Sequence, residues 1–199
     1  MAAYGGHDHI VRLCHNYDKV NLNKVMEWAA EDGHKEVVHL YQELEATNLE
    51  RLCYGPQSSG QENVMCLCRD WGVTNFDLIK AWAAHSGHED IVHLCHKWEA
   101  TDVDKAMVCA ASNSYESIAR LCHNRGSHEV DWAMAFAAKE GHGSIMRLCH
   151  DLGATNFNHT MVYAASNGHK SIERLCHEWG ATNVDSAMAY AAKNGHKIL

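Results

Sequence analysis

The sequence has 199 residues, of which 46% are hydrophobic, and its formal charge is −8 with histidine counted as neutral. This composition excludes a disordered chain, and no apolar run approaches the ~18 residues of a membrane-spanning helix. An acidic surface repels nucleic-acid phosphates, so we expect neither a nucleic-acid partner nor a membrane. No signal-peptide pattern opens the sequence, and the nine cysteines are an odd number, which favours a reducing, cytoplasmic location.

A regular period runs through the chain. It is marked by Gly-His pairs whose positions differ by 27 or by twice that number: Gly6-His7, Gly33-His34, Gly87-His88, Gly141-His142, Gly168-His169 and Gly195-His196. A fixed period of this length is typical of an array of stacked, similar units. We therefore predict a single array over residues 1–199, with about seven units and an incomplete unit at each end.

The unit at residues 46–72 is irregular. Pro56-Gln57 stands where the other units carry a pair of alanines, and proline inside a helix costs about 3 kcal/mol or more. We expect the first helix of this unit to stop near Tyr54 and a loop to follow at residues 58–60. Its amides are expected to exchange faster than those of the other internal segments.

The unit at residues 154–180, "ATNFNHTMVYAASNGHKSIERLCHEWG", predicts two helices. The first follows Asn158, whose side chain we expect to cap it, and Gly168 ends it. The same capping slot is held by Asp77, Asp104, Asp131 and Asp185. The second helix begins near His169. Its apolar stripe consists of Ile172, Leu175, Cys176 and Trp179, at helical spacing.

The segments "AMAYAAKNGH" and "IERLCHEWGA" resemble the ankyrin repeat. Their order of apolar residue, alanine pair, Gly-His, aliphatic helix and Gly-Ala turn is that of the family. The matching residues are Met188, Ala191, Ala192, Gly195 and His196 in the first part, and Ile172, Leu175, Gly180 and Ala181 in the second. The resemblance implies a stack of helix pairs whose concave face binds a protein.

The units depart from the family in length, because ankyrin units have about 33 residues. The missing residues fall where the family carries a β-hairpin finger. We therefore expect an all-α fold, an α-solenoid of ankyrin-like helix-turn-helix units without those fingers. Short units of this kind resemble the ankyrin-like arrays encoded by large DNA viruses.

Cysteine followed by histidine recurs at one slot of the units and suggests a metal site. Neighbouring residues on a helix point about 100° apart, and equivalent slots of adjacent units lie roughly 8–10 Å apart, which is too far for zinc ligands. We therefore predict buried structural thiols, no metal and no cofactor, and keep a metal-binding repeat protein only as a remote alternative.

The repeated Gly-His histidines are expected to pack locally. Since the sequence shows no catalytic motif, we predict no enzyme and no catalytic residue.

We expect the residues that bind a partner to lie at the positions that vary from one unit to the next. The two positions after the alanine pair are polar, and in ankyrin-like stacks they line the concave side. The predicted partner-binding residues there are Glu31, Asp32, His85, Ser86, Ser112, Asn113, Lys139, Glu140, Ser166 and Asn167. The turn "NRGSHEVDW" adds Arg125, His128 and Trp132, since an exposed Trp beside Arg is a typical interface anchor.

Large residues precede the alanine pair at Trp28, Trp82, Phe136, Tyr163 and Tyr190. We expect them to pack between units, with an exposed aromatic binding surface as the alternative.

The function predicted is a non-enzymatic scaffold that binds a protein of unknown identity, and in a virus this would be a host protein in the cytosol. The alternative is a structural component of a virus particle. A binder would be monomeric, whereas an assembly component would associate end to end.

Overall fold

The computed structural model describes residues 72–196 continuously, together with His34, Met65, Cys66, Arg69 and Asp70. The chain divides into two compact units, Met1–Ile79 and Lys80–Leu199. The irregular stretch at 46–72, with its predicted loop, lies almost entirely outside the described residues. Trp28, Glu31 and Asp32 lie outside them as well.

Residues 72–196 are all-α, and no β-strand occurs among them. Their helices are α1 (Phe76–Ser86), α2 (Glu89–Lys97), α3 (Val103–Ser112), α4 (Glu116–Asn124), α5 (Val130–Glu140), α6 (Gly143–Asp151), α7 (Phe157–Ser166), α8 (Lys170–Glu178) and α9 (Val184–Lys193). The odd-numbered helices, here called A helices, start at residues 76, 103, 130, 157 and 184, a spacing of 27. The even-numbered B helices start at 89, 116, 143 and 170, with the same spacing. The sequence period is thus the period of a two-helix hairpin.

The A helices begin two residues earlier than the sequence predicted, so different residues cap them. Asp102 accepts a hydrogen bond from the backbone N–H of Lys105, and Asn156 accepts one from that of His159. Asn158 already lies inside α7, as its second residue, so the prediction that its slot caps the A helix is wrong. A side chain at the second helical position cannot cover the N–H groups of its own first turn as an N-cap does.

Each A helix ends as predicted, at a residue with a positive φ. Gly141 (φ 84°) follows α5, and Gly168 (φ 74°) follows the last turn of α7. The left-handed conformation is open to glycine because it has no Cβ. The histidine that follows each glycine then occupies the N-cap position of the B helix.

The core consists mainly of small and aliphatic side chains. Each A helix within Lys80–Leu199 packs on the A helices of adjacent hairpins, as α5 does on α3 and α7. The alanine pairs at these contacts are buried, at positions 110–111, 137–138 and 164–165. Because alanine has no side chain beyond Cβ, the helix axes can approach closely there. The B helices contribute buried isoleucines, leucines and cysteines.

Candidate functional site

The Gly-His histidines join one hairpin to the preceding one. Nε2 of His169 lies 2.9 Å from the carbonyl oxygen of Lys139, and Nε2 of His142 lies 3.0 Å from that of Ser112. A carbonyl oxygen only accepts, so each ring donates from Nε2. The prediction that these side chains pack locally is wrong, since each reaches 30 residues back along the chain.

The Asp or Asn position that the sequence predicted as a helix cap instead forms a second connection between hairpins. Oδ1 of Asp131 accepts hydrogen bonds from the backbone N–H groups of Thr155 (2.7 Å) and Asn156 (2.8 Å). Asn158 accepts the equivalent pair from residues 182 and 183. Asp104 accepts from the Ser127 hydroxyl, at 2.7 Å, and from the next backbone N–H. One acceptor on each of these A helices therefore holds the turn that leads into the next A helix.

The repeated cysteines are structural thiols, as predicted. Cys95, Cys122, Cys149 and Cys176 are buried and form no disulfide. Burial raises the pKa of Cys122 to about 11 and that of Cys149 and Cys176 to about 12. A thiol with such a pKa stays protonated at neutral pH and is a poor nucleophile and a poor metal ligand.

The described residues contain no group of three or more His, Cys, Asp or Glu side chains arranged to hold a metal ion. His93 lies 3.9 Å from Glu89, and His96 meets the guanidinium of Arg125 through Nε2. Arginine can only donate, so Nε2 of His96 is the acceptor and its lone pair is already engaged. Burial and the charge of Arg125 lower the pKa of His96.

Four rings of α5 and α7 form a continuous surface cluster, here called the aromatic ladder: Trp132, Phe136, His159 and Tyr163. The rings of Trp132 and His159 meet edge to face, with centroids 5.3 Å apart. His159 and Tyr163 meet in the same way at 4.8 Å. Phe136 lies 6.2 Å from Trp132 and 6.1 Å from Tyr163. Spacing of i, i+4 on each helix and helix-on-helix packing bring the four rings together.

The aromatic ladder is open to solvent. Trp132 is 46% exposed, and Phe136, His159 and Tyr163 are half-buried. The large residue of the next hairpin, Tyr190, is 48% exposed. Phe136 and Tyr163, which precede alanine pairs, do pack against each other between units as expected, but both keep part of their surface exposed. Solvent-exposed rings in mutual contact fit the alternative, an aromatic binding surface, since contiguous exposed apolar patches mark interaction sites.

The predicted polar pairs lie at the C-terminal ends of the A helices, and many of them are held inside the array. Asn113 donates to the carbonyl oxygen of Cys109 and meets Nδ1 of His85 at 2.9 Å. The hydroxyls of Ser112 and Ser166 each donate to the carbonyl oxygen four residues back. Asn167 donates to the carbonyl oxygen of Tyr163, beside the aromatic ladder. Ser86 is half-buried.

Charge lies one turn beyond the aromatic ladder. Nζ of Lys139 lies 2.9 Å from a carboxylate oxygen of Glu140, and this hydrogen bond lowers the pKa of Glu140. Both side chains are more than one-third exposed, so the pair is open to a partner and adds little to stability. The aromatic rings thus lie next to a polar, charged rim.

Arg125 and His128 are exposed, but their hydrogen bonds go to the preceding hairpin and not to the aromatic ladder. Arg125 contacts His96 of the preceding hairpin, and the backbone N–H of His128 donates to Asp104. Trp132 instead contacts the rings of Phe136 and His159. Arg125 and Trp132 thus have different contact partners, and whether they bind a partner together stays a prediction.

Sequence reasoning missed two notable side chains. His159 completes the aromatic ladder, and its position one full period after Trp132 was the available signal. Lys80 is only 1% exposed, and its Nζ donates to the carbonyl oxygen of Ala100 at 2.8 Å. A buried lysine has no signature in the sequence pattern, because its slot is set by how two helices and a turn meet.

No family model matches the sequence, and no curated protein matches it significantly. Among the described residues, no helix combines the length and the apolar character needed to cross a membrane.

Proposed function

We propose that the chain is an α-solenoid of ankyrin-like units. Three sets of positions repeat at the same interval and support this proposal: the Gly-His pairs, the starts of the A helices and the starts of the B helices. The histidine and Asp/Asn bonds between hairpins repeat at the same interval. Such arrays are stabilised by contacts between neighbouring units only.

The proposed function is non-enzymatic binding of a protein partner, and the aromatic ladder carries the proposal. Its rings lie outside the core, on helices that the buried alanines already fix in place. Trp and Tyr are enriched among the residues that contribute most to binding. Lys139 and Glu140 supply a polar rim, as at the edge of a typical interface.

In this proposal the partner is a host protein of the cytosol and the chain is of viral origin, as the resemblance implies. A second candidate function is assembly of a virus particle from many copies. The observation that favours it is the mainly apolar groove between α8 and α9, which is lined by Met161, Ala187 and Met188.

The binding function is tested by paired affinity capture from host cytosol. Trp132→Ala should abolish enrichment of the partner that the unchanged protein captures, while helical content stays constant because Trp132 is half exposed. Arg147→Ala is the matched control, because Arg147 is an exposed side chain of the same hairpin on the B helix. Equal capture by the Trp132→Ala protein would remove the aromatic ladder from the proposal.

A further inference from the structure

His96 on α2 lies in a cluster of positive side chains. Its Nε2 accepts a hydrogen bond from the guanidinium of Arg125, which follows α4. The small space beside this pair is lined by Lys80, His93, Cys122 and aliphatic side chains. Among the described residues, no carboxylate lines this space. His96 therefore faces basic groups from α1, from its own helix and from the end of α4.

The lysine of this cluster is a departure from the repeat. Lys80 holds the position that is methionine in the later hairpins, at residues 107, 134 and 161. It is 1% exposed, and its Nζ donates to the carbonyl oxygen of Ala100. The substitution therefore brings a buried positive charge into a column of apolar side chains.

The arginine departs from the repeat as well. Arg125 holds the position of Leu152 and Trp179 in the next two hairpins. At the later of these positions, His150 stacks on Trp179 with ring centroids 4.4 Å apart. The histidine of this column can thus pack on a neutral ring, whereas His96 is placed against a guanidinium.

The carboxylates of the neighbouring elements are directed to other groups. Oδ1 of Asp104, on α3, accepts hydrogen bonds from the Ser127 hydroxyl and from the following backbone N–H. Glu89, on α2, lies 3.9 Å from Nε2 of His93. Within the part of the chain that the structure describes, neither carboxylate forms an ion pair with His96. A positive charge on His96 would therefore meet cations without a compensating anion.

The second ring nitrogen of His96 is buried, and it has no hydrogen-bond partner among the described residues. Because Nε2 accepts from Arg125, the neutral ring carries its hydrogen on Nδ1. Protonation adds a hydrogen to Nε2, which removes the bond from Arg125 and leaves both ring N–H groups without an acceptor. Burial, followed by the charge of Arg125, accordingly lowers the pKa of His96.

The junction that holds His96 also lacks the histidine bond of the later junctions. Tyr115 stands where the next two hairpins have His142 and His169, whose rings donate to a carbonyl oxygen of the preceding hairpin. The ring of Tyr115 instead covers Gly87, since a Cβ placed there would lie 2.4 Å from it. The charge of His96 therefore acts on a junction with fewer bonds that oppose its opening.

We propose that protonation of His96 opens the contact between α2 and α4, which makes this junction of the array sensitive to pH. A histidine released by opening titrates near its ordinary pKa of 6.5, whereas in the closed junction the pKa is lower. Closure is therefore most favourable above pH 6.5 and weakens as the pH falls below it. Each pH unit between the two pKa values raises the opening equilibrium about tenfold. The aromatic ladder, on α5 and α7, plays no part in this inference.

The test is amide hydrogen exchange of the full chain at several pH values from 7 to 5. Protection is expressed relative to the exchange rate of an unstructured peptide at the same pH. The amides of Leu94 and Cys95 on α2 should lose protection by about tenfold as the pH falls, and those of Met134 on α5 should lose less. Equal protection of α2 at pH 7 and pH 5 would overturn the proposal.

Three variants identify the titrating group, and circular dichroism checks that each is folded. His96→Gln should lose most of the pH dependence at α2, because its side chain can still accept from Arg125 but does not titrate. His150→Gln is the matched control in the same position of α6 and should keep it. Arg125→Gln should raise the pKa of His96, measured by proton NMR of Cε1–H. An undiminished pH dependence in His96→Gln, or an unchanged pKa in Arg125→Gln, would refute the assignment.

Discussion

The ring of His169 donates from Nε2 to the carbonyl oxygen of Lys139 at 2.9 Å, and the same ring covers the α-carbon of Gly141. A Cβ on Gly141 would lie 2.8 Å from Cε1 of His169. The Gly-His pair is thus divided between two contacts. Its glycine receives the ring of the next hairpin, and its histidine reaches the hairpin before.

Gly141→Ala is expected to destabilise the protein by more than the cost of its backbone conformation alone. A left-handed residue with a Cβ costs about 1–2 kcal/mol, and the collision with His169 adds to this. The free energy of unfolding in denaturant measures the loss. Gly153→Ala is the control, since Gly153 has φ 94° and open space around it, so it should show the backbone cost only. Equal losses at the two sites would show that the histidine contact is unimportant.

Asp131→Ala should cost about 1–3 kcal/mol, because two backbone N–H groups of the next turn lose their acceptor. Asp131→Asn should restore most of the stability, since Asn158 performs the same task in the next hairpin. Thermal unfolding at low protein concentration measures both. Asp185→Ala is the matched control on α9 and should be nearly neutral there. A large loss for Asp185→Ala would contradict the assignment of the slot.

Ala138→Leu should destabilise by about 1–3 kcal/mol, because the position is fully buried where A helices meet. Ala192→Leu occupies the same slot on α9, where the residue is exposed, and should change stability little. Denaturant titration followed by circular dichroism compares the two. The idea that small residues set the helix spacing fails if both variants are equally stable.

Stability is expected to fall as pH rises above about 9, partly through the buried thiols. The pKa of Cys149 is about 12 in the folded state against 9.0 for an exposed thiol. Between these values the unfolded chain loses a proton that the folded chain keeps, so the thiol favours unfolding by about 1.4 kcal/mol per pH unit. Cys149→Ala should show a shallower fall of unfolding free energy from pH 9 to 11 than the unchanged protein. Parallel curves would show that this thiol does not contribute.

The same burial predicts which thiols react. Cys122, Cys149 and Cys176 should resist alkylation in the folded protein, and Cys109, which is half-buried, should be modified sooner. Peptide mapping after a short exposure to iodoacetamide measures this order. Rapid modification of Cys149 without loss of helical content would mean that the cysteine column is not packed as described.

Much of the local structure could be predicted from the sequence. The helix pairs of residues 72–196, their left-handed glycines, the lack of strands among them and the burial of their alanines and cysteines follow from spacing and residue type within one unit. These features depend on interactions between residues three or four apart, which periodicity reveals. The aromatic ladder was foreseen only as an alternative, because an aromatic residue at helical spacing fits a core and a surface equally well.

The contacts between hairpins were decided by tertiary structure. His169 and Asp131 occupy positions whose types suggest local packing and local capping, yet their partners lie 30 and 24 residues away. Stacking one hairpin on another brings these groups together. The sequence by itself therefore determined that residues 72–196 form two-helix units of constant length, since that is a matter of local periodicity. Only the packing of unit on unit decided which side chains join the units and which rings remain exposed, because burial depends on what the neighbouring hairpin covers.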